Sequence, residues 1–193
     1  MKQCLAIVAG LTSIFLGCSH SGPRQSALGG ECAAHLRELA VLLRQSIPAG
    51  DEYPPKLIGL HEETTNTSLF LCPSVGHRSG RFADIETWSD YIYVGNLPLY
   101  VGNLRVAQVI CPAENHHDGY GYVLWLSGDV EKVDRERIHK LVAEPWCEAG
   151  LTSQREAEKL RQRVVVSVPP ALRRLFLKGS SSGSDRGGGG VRP

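Results

Sequence analysis

The chain has 193 residues, 42% apolar and 21% charged, which are ordinary proportions for a globular protein and about one domain's worth of length. Lys plus Arg number 21 against 20 for Asp plus Glu, so no basic excess supports a nucleic-acid partner. The single methionine, Met1, excludes a Met-rich adaptable binding surface.

Lys2 gives a basic start, Leu5 to Leu16 is an almost unbroken apolar stretch, and Gly17-Cys18 follows at once. A membrane span needs roughly 20 apolar residues, so this shorter run predicts a secretory signal over residues 1–17. It resembles a bacterial lipoprotein signal, with Phe15 in the usual leucine position and Ser19 where an aspartate would favour inner-membrane retention. The resemblance implies lipid attachment at Cys18 and a protein anchored in the cell envelope, at the outer membrane facing the periplasm. Loss of Lys2 with the signal leaves 20 basic residues against 20 acidic ones, a formal charge of zero.

Residues 18–30 are polar and rich in Gly and Ser, which predicts a flexible tether ahead of one domain over residues 31–178. From Glu31 to Ser46 the apolar positions Cys32, Leu36, Leu39, Ala40, Leu43 and Ile47 recur at spacings of three and four, the pattern of an amphipathic helix. Pro48, Gly50 and Pro54-Pro55 end it. Leu69 to Cys72, Tyr91 to Val94 and Val106 to Cys111 are short apolar runs bounded by turn residues, and each predicts a strand. Two of the three end in Cys-Pro, which suggests matched strand ends, because proline cannot donate to a ladder.

Tyr122 to Leu126 and Asp129 to Val133, separated by Ser127-Gly128, read as a tight hairpin. Asp134 can cap a helix to about Ala143, and Ser153 with Glu156 forms a capping-box spacing for a charged helix to about Arg163. Val164 to Val166 could add an edge strand, and Ala171 to Leu177 a final short helix. Residues 179–193, rich in Gly and Ser, predict a disordered tail. A long helix, then strands, then helices, favours an α+β domain with an amphipathic N-terminal helix packed on a small antiparallel sheet.

Six cysteines stand at 4, 18, 32, 72, 111 and 147. Beyond the signal and the lipid site, Cys32, Cys72, Cys111 and Cys147 are the even number that two disulfides require in an oxidising compartment, with three connectivities open. No two of these four are near neighbours in the manner of C-x-x-C, which argues against zinc on the cysteines. Metal-ligating side chains gather instead in the loop Glu114-Asn115-His116-His117-Asp118-Gly119, where Glu114, His116, His117 and Asp118 are candidates for a divalent ion or a ligand. Neighbours on an extended chain face opposite sides, so the two histidines converge only if the loop turns sharply. The competing reading is a hydrogen-bonded loop packed on the hairpin. No Gly-x-Ser-x-Gly, phosphate loop or His-Glu-x-x-His is present, and the expectation is a non-enzymatic protein with no catalytic residue and no cofactor beyond that divalent metal.

The helix beginning at Cys32, the Phe70-Leu-Cys-Pro-Ser segment, the Ser89-Asp-Tyr-Ile-Tyr-Val strand, and Glu114-Asn-His-His-Asp-Gly leading into Tyr122-Val-Leu-Trp-Leu-Ser-Gly-Asp-Val-Glu occur in a defined order. Together, over about residues 31–135, they resemble the pilin-like proteins of planctomycetes and relatives, the group named for a histidine, nine residues and Asp-Gly. Here the nine residues after His117 lead to Ser127-Gly128, and a lipobox stands in place of the polymerising prepilin helix. The resemblance implies a pseudopilin-like head on a lipid anchor, with a structural or accessory role in a type II secretion-like or surface assembly. Its partners would be the membrane, through the lipid, and pilus-like or secretion proteins. It also implies the pairing Cys32 with Cys72, which match family cysteines, and Cys111 with Cys147, which are extras of this chain.

Overall fold

The computed structural model describes residues 25–47, 52–77, 79–101, 105–151 and 153–177. The expected signal, Cys18 and the expected tail from residue 179 lie outside the described residues. Helix α1 spans Gln25–Gln45, and so begins six residues inside the segment expected to be a tether. Its stripe Cys32, Leu36, Leu39 and Leu43 is wholly buried, as the spacing of three and four requires. Each such leucine contributes roughly 1.5–3 kcal/mol by leaving water.

Five strands follow: β1 Ile92–Gly95, β2 Ala107–Cys111, β3 Tyr120–Trp125, β4 Val130–Asp134 and β5 Val165–Ser167. They form one antiparallel sheet in the order β4-β3-β2-β1-β5, so the late strand β5 lies at an edge beside β1. The architecture is α+β, with the N-terminal helix packed on a five-stranded antiparallel sheet. Helices α2 (Ile85–Trp88), α3 (Arg135–Ala143), α4 (Gln154–Arg163) and α5 (Pro170–Leu177) complete it.

The two faces of the sheet bury different partners, because successive side chains of a strand alternate sides. Tyr91, Tyr93, Val109, Cys111 and Leu124 pack with α1. Ile92, Ile110 and Val123 pack with Ile138, Leu141 and Val142 of α3 and Leu172 of α5. The helix caps read from the sequence are present, with Asp134 accepting from Arg137 N at 2.9 Å and Ser153 from Glu156 N at 3.2 Å. The β3–β4 turn closes on Gly128, whose φ of +96° suits glycine.

One expected strand is absent. Within Leu69 to Cys72, the first two residues belong to a 3-10 turn, Thr67–Phe70. The Asn66 side chain accepts from Ser68 N at 3.3 Å and nucleates that turn, while Leu69 and Phe70 are buried without any ladder. The apolar run records burial there, and the local capping asparagine decides the backbone. Among the described residues, no helix is long and apolar enough to cross a membrane.

Candidate metal centre

Four side chains from four separate segments meet in the core against α1. Cys32 comes from the buried stripe of that helix, Cys72 from the turn after Phe70, Cys111 from the last position of β2, and His116 from the loop that follows. Their ligand atoms all lie within 4.8 Å of one another. His116 Nε2 is 3.2 Å from Cys111 Sγ and 3.6 Å from Cys72 Sγ. A tetrahedral zinc with Zn–S near 2.3 Å and Zn–N near 2.0–2.1 Å places sulfur and nitrogen about 3.5 Å apart, a value the two distances bracket. Cys32 and Cys111 are wholly buried, Cys72 is 1% exposed and His116 is 9% exposed.

Local structure places each ligand. Pro112 stops β2 directly after Cys111, and a 3-10 turn, Ala113–Asn115, brings His116 back over the strand end, with His116 N donating to Ala113 O at 3.1 Å. Gly121 in β3 lets the chain cross at that bend, because a Cβ there would collide with the Cys111 carbonyl oxygen. Cys72 N donates to Asp90 Oδ2 at 3.0 Å, and Asp90 in turn takes His77 Nδ1 at 2.8 Å. The Ser74 hydroxyl lies 3.2 Å from His116 Nδ1, which turns Nε2 toward the sulfurs. Asn115 Nδ2 donates to Asp90 O at 3.0 Å and reaches Cys111 Sγ at 3.7 Å.

The three thiols do not ionise alike. Hydrogen bonds from Cys111 and Cys32, with His116 beside it, hold Cys72 far below the ordinary thiol range against its burial. Cys32 is pulled down by its hydrogen bond to Cys111, but its hydrogen bond toward Cys72, burial and the Cys72 charge together push it well above that range. Burial is the largest cause of the upward shift at Cys111, followed by its hydrogen bonds with Cys32 and Cys72. Charge on Cys72 disfavours charge on Cys32 and Cys111. A cation at the centre would displace the remaining protons, which makes its binding proton-linked.

The candidate residues of the sequence divide cleanly. His116 joins the centre. Its neighbours do not, because the loop sends them outward. His117 is exposed, Asp118 pairs with Lys132 at 2.8 Å, and Glu114 Oε1 faces Arg135 at 3.3 Å and His139 Nε2 at 3.4 Å. Wide spacing in the sequence does not keep the cysteines apart, since the fold brings Cys32, Cys72 and Cys111 together with His116. Cys32, Cys72, Cys111 and Cys147 are all free cysteines in the structure, and the sulfurs of the expected pair Cys32 and Cys72 lie within 4.8 Å of each other. Cys111 sits with Cys32 and Cys72, while Cys147, its expected partner, is exposed after α3 and lies outside that group. The paired Cys-Pro ends and the Cys111-x4-His116 spacing were the signals available. Comparison with protein families, with curated proteins and with solved structures finds no match to this chain.

Proposed function

We propose that this protein is a non-enzymatic metal-binding module in which Cys32, Cys72, Cys111 and His116 hold one structural zinc ion, and that it serves in the cell envelope on a lipid anchor at Cys18. The observation that carries the metal reading is the convergence of three buried sulfurs and one imidazole nitrogen within 4.8 Å. Three soft thiolates and one imidazole suit zinc, whereas carboxylate and carbonyl oxygens suit magnesium or calcium. Four protein ligands close a tetrahedron and leave no position for substrate, which supports a structural and not a catalytic centre. The zinc ties α1 to the sheet, a role for which small exported domains otherwise use disulfides. The lipoprotein-like signal supports the anchor, and the pilin-like order of motifs supports an accessory place in a secretion or surface assembly.

Elemental analysis of the full chain, purified without chelator, tests the metal reading. About one zinc per chain is expected, as for a single closed Cys3His site. Cys111→Ser and His116→Ala should lose it, while Cys147→Ser and His117→Ala should keep it. Metal-free protein with its full stability, or zinc retained by all four variants, would remove the reading. Metabolic labelling with palmitate, compared between the wild type and Cys18→Ala, tests the anchor separately.

A further inference from the structure

Charge is unevenly spread along this chain. Residues 153–193 hold nine Lys and Arg against three Asp and Glu, a formal +6 in a chain whose total is +1. The other 152 residues hold 12 against 17 and are acidic. We propose that the sheet edge formed by α4, β5 and α5 docks on an anionic phospholipid bilayer. The inference goes beyond the zinc and lipid-anchor readings and needs neither.

Topology gathers the cations. β5 is the outermost strand and pairs only with β1. The chain enters it from α4 through Val164 and leaves it for α5 through Val168-Pro169. Ala157, Leu160 and Val164 seat α4 in the core on the α1 side of the sheet, whereas Leu172 and Phe176 seat α5 in the core on the other side. The two helices therefore flank one edge strand. Arg155, Lys159, Arg161, Arg163, Arg173 and Arg174 along them are all exposed.

The state of these cations differs from that elsewhere on the sheet. Arg81, Arg105, Lys132, Arg135, Arg137 and Lys140, the described cations between residues 79 and 151, each meet a carboxylate. At the β5 edge Arg161 pairs with Glu144 at 2.7 Å and Arg163 with Glu52 at 3.1 Å. Arg155, Lys159, Arg173 and Arg174 have no carboxylate within 4.0 Å among the described residues. Arg155 also stands in the first turn of α4, where the helix dipole opposes a positive charge, so helix stability does not account for it. Apolar side chains accompany the charges: Leu175 beside Arg173 and Arg174 is 40% exposed, and Val165 on β5 is 38% exposed. A bilayer interface takes up both kinds of group, whereas a nucleic-acid backbone rewards the charges alone.

Co-sedimentation of the full chain with vesicles of phosphatidylcholine, alone or mixed with phosphatidylglycerol, tests the proposal. The apolar stretch Leu5 to Leu16 is common to both measurements, so the ratio of the two partition constants reads the charged edge. At low salt the ratio should exceed about tenfold, and screening at about 0.5 M salt should collapse it. Arg155→Gln, Lys159→Gln and Arg174→Gln should each lower it by about fivefold, the effect of one charge near an anionic surface. Leu175→Ser should weaken binding to the anionic vesicles, and Arg37→Gln, exposed on α1, should leave the ratio unchanged. A ratio near one, an equal loss with Arg37→Gln, indifference to Leu175→Ser, or DNA bound as tightly as vesicles at equal phosphate concentration would overturn the proposal. Zinc content measured on the same samples keeps this result apart from the metal reading.

Discussion

His116 and His117 are adjacent in sequence and opposite in fate. One joins the buried group of Cys32, Cys72 and Cys111 and the other faces solvent, because the 3-10 turn Ala113–Asn115 decides which ring returns over β2. The ring that returns is held by Ser74, so Ser74→Ala should lower zinc affinity by about 10–100-fold, as loss of an outer hydrogen bond to a ligating histidine does. Competition with a chromophoric chelator measures this, and unchanged affinity would remove Ser74 from the site. A second residue effect concerns acid stability. The Arg137 guanidinium beside Glu148 holds its carboxyl below the ordinary value of 4.5, against partial burial. A lowered carboxylate contributes stability that is present above its ordinary value and lost as pH falls through the lowered one. Thermal melts should therefore show Glu148→Gln less stable than the wild type at neutral pH, with the gap closing below pH 4.5. A gap independent of pH would assign the loss to packing. The loop histidine was legible as a ligand type, but its choice of partners was not, since the three sulfurs come from positions about 40 residues apart along the chain (72 − 32 and 111 − 72).

At the scale of elements, periodicity and caps read well. The stripe from Cys32 to Leu43, the capping Asp134 and Ser153, and the Ser127-Gly128 hairpin are all where local rules put them. These signals act over one or two turns, so tertiary context need not be known. The run Leu69 to Cys72 failed as a strand because burial and backbone conformation are separate properties, and Asn66 chose a turn. The stripe makes a direct prediction: Leu36→Ala, at a wholly buried position, should cost about 2–5 kcal/mol in urea unfolding through lost burial and a residual cavity. A loss well under that range would mean that α1 is loosely seated. Gly121→Ala tests the crossing beside Cys111. Its added methyl collides with the Cys111 carbonyl, so both stability and zinc content should fall, and full retention of both would show that the bend can give way.

For the whole molecule, the cluster of Cys32, Cys72, Cys111 and His116 gathers α1, the turn before Ser74, the end of β2 and the following loop, which a bound zinc ion would join. Zinc removal should lower the melting temperature and release α1 first. Hydrogen exchange after chelation should show loss of protection over residues 25–45 ahead of β2 and β3, because binding energy at such a site is folding energy. Uniform loss of protection would instead indicate a single cooperative unit. The sequence by itself determined the α+β class, the amphipathic helix, the hairpin and the capped helices, since hydrophobic period and capping chemistry are local. Only the tertiary structure decided that Cys32, Cys72 and Cys111 form one group with His116 and that Cys147 stays outside it. The physical reason is that ligands contributed one each by a helix, a turn, a strand end and a loop have no common spacing in the chain, and their distances exist only after the sheet and α1 have packed.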